Sequence, residues 1–298
     1  SFFLYPVNIT ILFTLMVLLA LGLLAQENHA VESSPLKERT VNLETSALYS
    51  FIGSLAFIVG LVLVLVVGYF SVNNFLSNVY LAKAVKAGVS DNAIQYYVDS
   101  ANSNNKDARV YRLLSQTVIA KLADDLQKGP KKDESRTDYN ARVQNQIASA
   151  VDISIRATNT DPADSQNWAN RGFIYQNLLT LVGGADQAAV SMYNESLARN
   201  PHDPQTYFRI GNIYLNVAEN IQRILANSPK DANPEALRKT VSDNLVKAEE
   251  SFKKAIELNN NFGQALYNLA VVYERQGKLG EAIKQFEILQ AANPRDPS

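Results

Sequence analysis

The chain has no cysteine, which excludes a disulfide framework and thiolate metal sites. Histidine is almost absent too: of 298 residues only His29 and His202 are histidine. His29 lies in a loop near Glu27 and Glu32, and His202 in an Asn-Pro-His-Asp-Pro turn, both places where a polar residue is solvated. Neither has metal-ligand or nucleophile–base spacing, and no phosphate-cradling glycine loop or Ser/His/acid set occurs. The pattern therefore predicts no catalytic residue, no cofactor and no metal. A net charge of −1 offers no concentrated basic field, so a nucleic-acid partner is excluded as well.

Charge is missing in a second, local sense. No charged residue precedes Glu27, and a second uncharged run extends from Thr45 to Ala82. The apolar parts predict two membrane spans, at about 4–25 and 48–70, joined by a loop over 26–47. At ~1.5 Å per residue each matches the ~30 Å hydrocarbon thickness of a bilayer. Tyr5, Tyr49, Tyr69 and Phe70 lie near the span ends, where amphipathic rings favour the interface. Gly53, Ala56 and Gly60 form a small-residue stripe suited to close contact with the first span at Ala20 and Gly22, or with a further helix of a larger bundle. Lys37 and Arg39 in the loop balance Lys83 and Lys86 beyond the second span, so the cation count selects neither side. No proline interrupts the pattern from the second span to Gly88, which predicts one long helix running out of the membrane into the soluble part.

Beyond residue 70 the chain repeats itself. A small residue recurs twelve positions before a turn residue: Ala93 with Asn105, Ala150 with Pro162, Ala189 with Pro201, Ala248 with Asn260 and Ala282 with Pro294. Four positions after the alanine stands Tyr97, Tyr193, Phe252 or Phe286, with Ser154 in the second case. Upstream of each is an amphipathic helix carrying a small residue: Ser115, Gly172, Gly211 and Ala270 in the last four. In Asn261 to Pro297 the whole unit is legible, with Leu266, Ala270, Tyr273, Ala282, Phe286 and Pro294. This spacing resembles the tetratricopeptide repeat, whose 34-residue helix–turn–helix unit stacks into a solenoid.

The resemblance implies an all-α fold: two transmembrane helices over 1–70, then a solenoid over 71–298 of about five helical hairpins. The pairs are expected at about 74–106, 107–162, 165–201, 204–261 and 262–296, with the aromatic stripe, Trp168 included, in the core. Pairs two and four carry about two dozen extra residues each, centred on Gln127 to Ser135 and Asn227 to Glu235, with apolar spacing that predicts elongated helices. Lys128, Lys131, Lys132 and Lys230 would then put positive charge at two projecting tips. The concave face of such an array suits a protein or peptide partner. Gln166, Asn170, Phe173, Phe208, Arg209, Asn212, Tyr267 and Asn268 are expected to point into that groove. The lysines of the family's carboxylate clamp are lacking here.

A polytopic segment leading directly into such repeats resembles the C-terminal end of bacterial O-antigen ligase-like and polymerase-like membrane proteins. The residues that carry it are the Leu-Leu-Ala-Leu-Gly-Leu-Leu-Ala25 span, the charged hairpin, and Val66-Val-Gly-Tyr-Phe70 leading into Asn78-Val-Tyr-Leu-Ala-Lys-Ala84. It implies a glycan-transfer parent whose catalytic loop lies upstream and an extracytoplasmic repeat domain on the bacterial cell membrane. The start without Met and the end just after a repeat's closing Pro, with no cap helix, lead to the expectation of a chain cut at both ends. Its partners would be the lipid bilayer and upstream helices of the same parent. The alternative is a stand-alone membrane-tethered assembly factor or co-chaperone with no enzyme attached.

Overall fold

The computed structural model describes residues 47–227 and 234–292. The first expected span, the loop before residue 47, His29, Lys230 and Pro294 fall outside the described residues. Ten helices and no strand occur among those described. They are α1 (Ala47–Ala87), α2 (Asp91–Ser103), α3 (Ala108–Lys128), α4 (Arg136–Thr160) and α5 (Ser165–Asn177). Then follow α6 (Ala185–Arg199), α7 (Pro204–Asn227), α8 (Pro234–Leu258), α9 (Gly263–Arg275) and α10 (Leu279–Ala292).

Local chemistry sets many of the starts. Ser90, Asp107, Ser135 and Asp164 accept from backbone N–H groups of the first turns of α2 to α5. At α7, Pro204 takes the first helical position and Asp203 accepts from the Gln205 N–H. Helices alternate as leading and trailing members of five hairpins: α1/α2, α3/α4, α5/α6, α7/α8 and α9/α10. Each trailing helix also packs on the next leading helix, so the pairs form a row. α3 and α4 have 21 and 25 residues and α7 and α8 have 24 and 25, against 13 and 15 for α5 and α6 between them.

Inside each hairpin a small residue lets a ring approach the backbone. Ala93, Ala150, Ala189 and Ala248 are fully buried and Ala282 is 4% exposed. A Cβ on Gly172 would stand 2.8 Å from the Tyr193 ring, and one on Gly211 would stand 2.6 Å from Phe252. Contacts that short are not tolerated, so these two positions require glycine while Tyr193 and Phe252 stay fully buried. Burial also pushes the Tyr193 phenol well up, and its O–H donates 2.6 Å to Gln176 Oε1.

Trp168 departs from the expectation of a core ring. It is half-buried; its Nε1–H donates 2.9 Å to the Pro162 carbonyl, and the Arg199 guanidinium covers its ring at 4.4 Å. The buried positions of α5 are Asn167, Asn170, Gly172 and Ile174, which leaves Trp168 on the flank against the preceding turn.

α1 runs 41 residues without a break. Its stretch Phe51–Ala87 is long and apolar enough to cross a membrane. Residues 51–67 are all exposed, and burial begins only where α2 reaches it, at Ser77 and Ala84.

Candidate partner-binding groove

The leading helices α3, α5, α7 and α9 are tied to one another by a recurring contact. The residue one place after the small residue of one leading helix meets the residue two places before the small residue of the next. Gln116 Nε2–H donates 2.8 Å to Asn170 Oδ1. Arg209 lies over the Phe173 ring at 5.1 Å. Asn268 Nδ2–H donates 2.6 Å to Asn212 Oδ1. Three successive junctions thus use one register, twice with an amide pair and once with a cation on a ring.

Four further bonds surround the first junction. Asn170 Nδ2–H donates 2.9 Å to Ser115 Oγ. Arg112 donates to both the Asp164 carboxylate and, at 2.7 Å, Asn167 Oδ1, while Asn167 Nδ2–H donates 2.7 Å to the Asp161 carbonyl. Asn167 and Asn170 are 0% and 4% exposed, so every one of these bonds matters: an unpaired buried amide is costly.

Above these ties a cleft of about 570 Å³ opens between α3, α5 and the start of α7. Arg112, Gln116, Gln166, Asn170, Phe173, Asn177 and Arg209 line it, with Asp203 and Gln205 at one end. The lining offers amide donors and acceptors, the Arg209 guanidinium, one ring face and the aliphatic side chains of Ile119, Ala120, Ala123 and Ala169, while the Arg112 guanidinium is already bound to Asp164 and Asn167. Such a surface can bind backbone and polar side chains of an extended chain; among the described residues no cluster of His, Asp or Glu could hold a metal ion.

The expected groove residues divide accordingly. Gln166, Asn170, Phe173 and Arg209 come together at the cleft. Asn170 differs from expectation in that both amide atoms are already used between helices. Asn212 and Asn268 form the third junction and bond each other. Phe208 is a correction: its ring lies 5.9 Å from Phe252 and 5.0 Å from Phe262, in the seam between α7, α8 and α9, because it sits one helical step around from Arg209. Tyr267 is 52% exposed beside Phe286, away from the cleft. Arg112 and Gln116 were missing from the expected set. For Gln116 the signal was available, since it stands one place after Ser115 as Asn212 stands one place after Gly211.

The tip of the α3/α4 pair also corrects an expectation. Lys128, Lys131 and Lys132 do not create a positive patch, because residues 124–142 hold five Lys or Arg and five Asp or Glu. Lys128 pairs with Asp124 at 2.7 Å, and the Lys131 backbone N–H donates 2.8 Å to Glu134. Hydrogen bonds from Arg142, then from the Lys131 N–H, hold the Glu134 carboxyl down to about 2. Burial alone would raise Asp125, yet hydrogen bonds from Lys121 and Gln146 and the field of Arg142 bring it net below its usual range. The segment is thus a closed ionic clasp between the two long helices. On the other side of pair three, a second cleft of about 540 Å³ lies between residues 176–186 and α7, with Thr180, Asn216, Asn220 and Arg223 in its lining.

Residues 251–284, from α8 into α10, match the family described as tetratricopeptide repeat. Among solved structures, a double mutant of MamA from RS-1 is 14% identical with a TM-score of 0.50, over 76% of this chain and 97% of that one. The row of helical hairpins thus shares the fold of that solved structure, and residues 251–284 within it carry the tetratricopeptide-repeat pattern. MamA from Desulfovibrio magneticus RS-1, from its residue 41 onward, is 15% identical over 74% of this chain and 97% of that one, with a TM-score of 0.49. YrrB, described as a TPR protein with an unusual peptide-binding site, is 15% identical over 76% of this chain and 86% of that one, with a TM-score of 0.43. Among curated proteins none matches the sequence.

Proposed function

We propose that the chain is a membrane-anchored interaction scaffold whose cleft between α3, α5 and α7 takes an extended segment of a protein partner. The cleft carries the reading: it is the place where Gln116, Gln166, Phe173 and Arg209 from three helices meet on one open surface. Amides and the Arg209 guanidinium complement a partner's backbone and carboxylates, and the Phe173 face supplies an apolar contact. Anchoring is supported by the bare apolar surface of α1, from Phe51 to the end of its apolar run. A photo-crosslinking residue at Gln166 in the full chain should capture a discrete partner from native membranes, while the same group at Gln144 on α4 should not. Equal capture from both positions would reject the cleft.

The finer reading makes this segment the C-terminal accessory part of an O-antigen ligase-like glycan-transfer protein, with the repeats on the extracytoplasmic side. It rests on the apolar spans and hairpin resemblance alone. A parent reading frame with further spans and a catalytic loop upstream would support it. A start codon immediately before Ser1 would favour the stand-alone tethered assembly factor instead.

A further inference from the structure

Helix α1 has more apolar surface than one bilayer crossing uses. Its 41 residues extend about 60 Å at ~1.5 Å each, against a hydrocarbon layer of ~30 Å. The side facing α2 shows where that layer must end. Asn74 Oδ1 accepts a 2.8 Å hydrogen bond from Asn104 Nδ2, and the turn beyond Asn104 carries Asn105, Lys106 and Asp107. One turn further along α1, the Ser77 and Ser100 hydroxyls are 3.0 Å apart. A turn with exposed charges does not enter hydrocarbon, so on this side water begins by Asn74.

The opposite side does not change character there. Val72, Phe75 and Leu76 are 57%, 64% and 38% exposed, and the run continues through Val79 and Ala82 without a charge. Of the described helices only α2 packs along α1. No acidic residue lies between Thr45 and Ser90, and the two charges in that interval are Lys83 and Lys86. Lys83 lies 5.5 Å from the Tyr80 ring and 5.9 Å from Tyr96, a cation–aromatic grouping suited to the headgroup layer.

We propose that this side of α1, over residues 72–86, rests on the bilayer surface, with Phe75 at the hydrocarbon boundary and Lys83 and Lys86 among anionic headgroups. The inference rests on the membrane-anchored reading above. Phe75 stands about 8 Å along the axis beyond Phe70. A lean toward that side, within the ~0–40° range of spanning helices, lowers the ring to the boundary and brings both lysine stems within reach of phosphate. An upright helix would leave Val72, Phe75, Leu76 and Val79 in water. Because α1 is unbroken and is also the first leading helix, the lean would set the angle at which the whole array stands on the membrane.

The lack of native cysteine makes single-cysteine labelling of the full chain direct. Leu61→Cys, Phe75→Cys, Leu76→Cys and Gln144→Cys variants would each carry a polarity-sensitive fluorophore. They would be reconstituted in phosphatidylcholine vesicles with and without phosphatidylglycerol, and quenched by nitroxides on the lipid chains. The expected result is deep quenching at 61, shallow quenching at 75 or 76, and none at 144. Lys83→Gln and Lys86→Gln should each reduce the leaning population roughly fivefold in the anionic vesicles only. Quenching at 61 with a water-like signal at both 75 and 76 would overturn the lean and leave the anchor standing. No quenching at 61 would overturn the anchor itself. Label-to-label contact between copies at 75 would show that protein, not lipid, covers the face.

Discussion

Phe252 and Phe286 occupy the same place in consecutive trailing helices, four residues after Ala248 and Ala282, yet one is fully buried and the other is 40% exposed. Their own hairpins do not make the difference, because both alanines are buried. Each ring also meets an aromatic of its own leading helix, Phe208 in the case of Phe252, but Phe208 in turn contacts Phe262 ahead of the next leading helix. Phe286 has the Tyr267 ring at 6.0 Å from its own hairpin, and no later helix among the described residues. A pair in this row is therefore finished by the pair after it. Stability belongs to junctions, not to single hairpins.

That comparison can be broken by measurement. Phe252→Ala should cost about 3–5 kcal/mol in denaturant unfolding, as for a large ring removed from a closed core. Phe286→Ala should cost about 1 kcal/mol or less, since much of the ring is already hydrated. Equal costs would mean that the junction adds nothing to Phe252. Glycine offers the same contrast with the sign reversed. Gly211→Ala should destabilise by about 1–3 kcal/mol through overpacking against Phe252. Gly280→Ala in α10 has open space within 4 Å and should stabilise by about 0.5–1 kcal/mol through helix propensity.

The polar junctions can be ranked next. Asn268→Ala strands Asn212 and should cost about 1 kcal/mol; adding Asn212→Ala should cost less than a second equal loss. Additive losses would show that the two amides do not act as a pair. The smallest effect is expected at the clasp of the α3/α4 tip. The Glu134 carboxyl is depressed to about 2, so its contribution is complete above the ordinary carboxylate range, near pH 5, and is lost as pH falls toward 2. Glu134→Gln should flatten the fall of the thermal midpoint over that interval. An unchanged slope would locate the acid sensitivity elsewhere.

Much of the fold was legible because the repeat writes one physical requirement many times. The buried alanines and the glycines under Tyr193 and Phe252 are set by local geometry, and local geometry leaves a spacing in the chain. The groove was less legible. Polar residues on the inner faces could be picked out, but whether Asn170 or Asn212 faces a ligand or a neighbouring helix depends on how closely the leading helices approach. Trp168 was misread for a related reason: an aromatic at the right spacing can lie on the core or on the flank, and the Pro162 carbonyl and Arg199 draw it to the flank. At the tip, lysines looked like a patch until the fold brought Asp125 and Arg142 together, residues 17 positions apart in the chain.

Amino-acid order by itself determined the helical periods, the positions where only a small side chain fits, and the long apolar run of α1, because each depends on neighbours within a few turns. Tertiary structure alone decided which identical positions are covered, which amides are consumed between helices, and which charges cancel. Those outcomes depend on distances between segments far apart in the chain, and no spacing within one segment encodes such a distance.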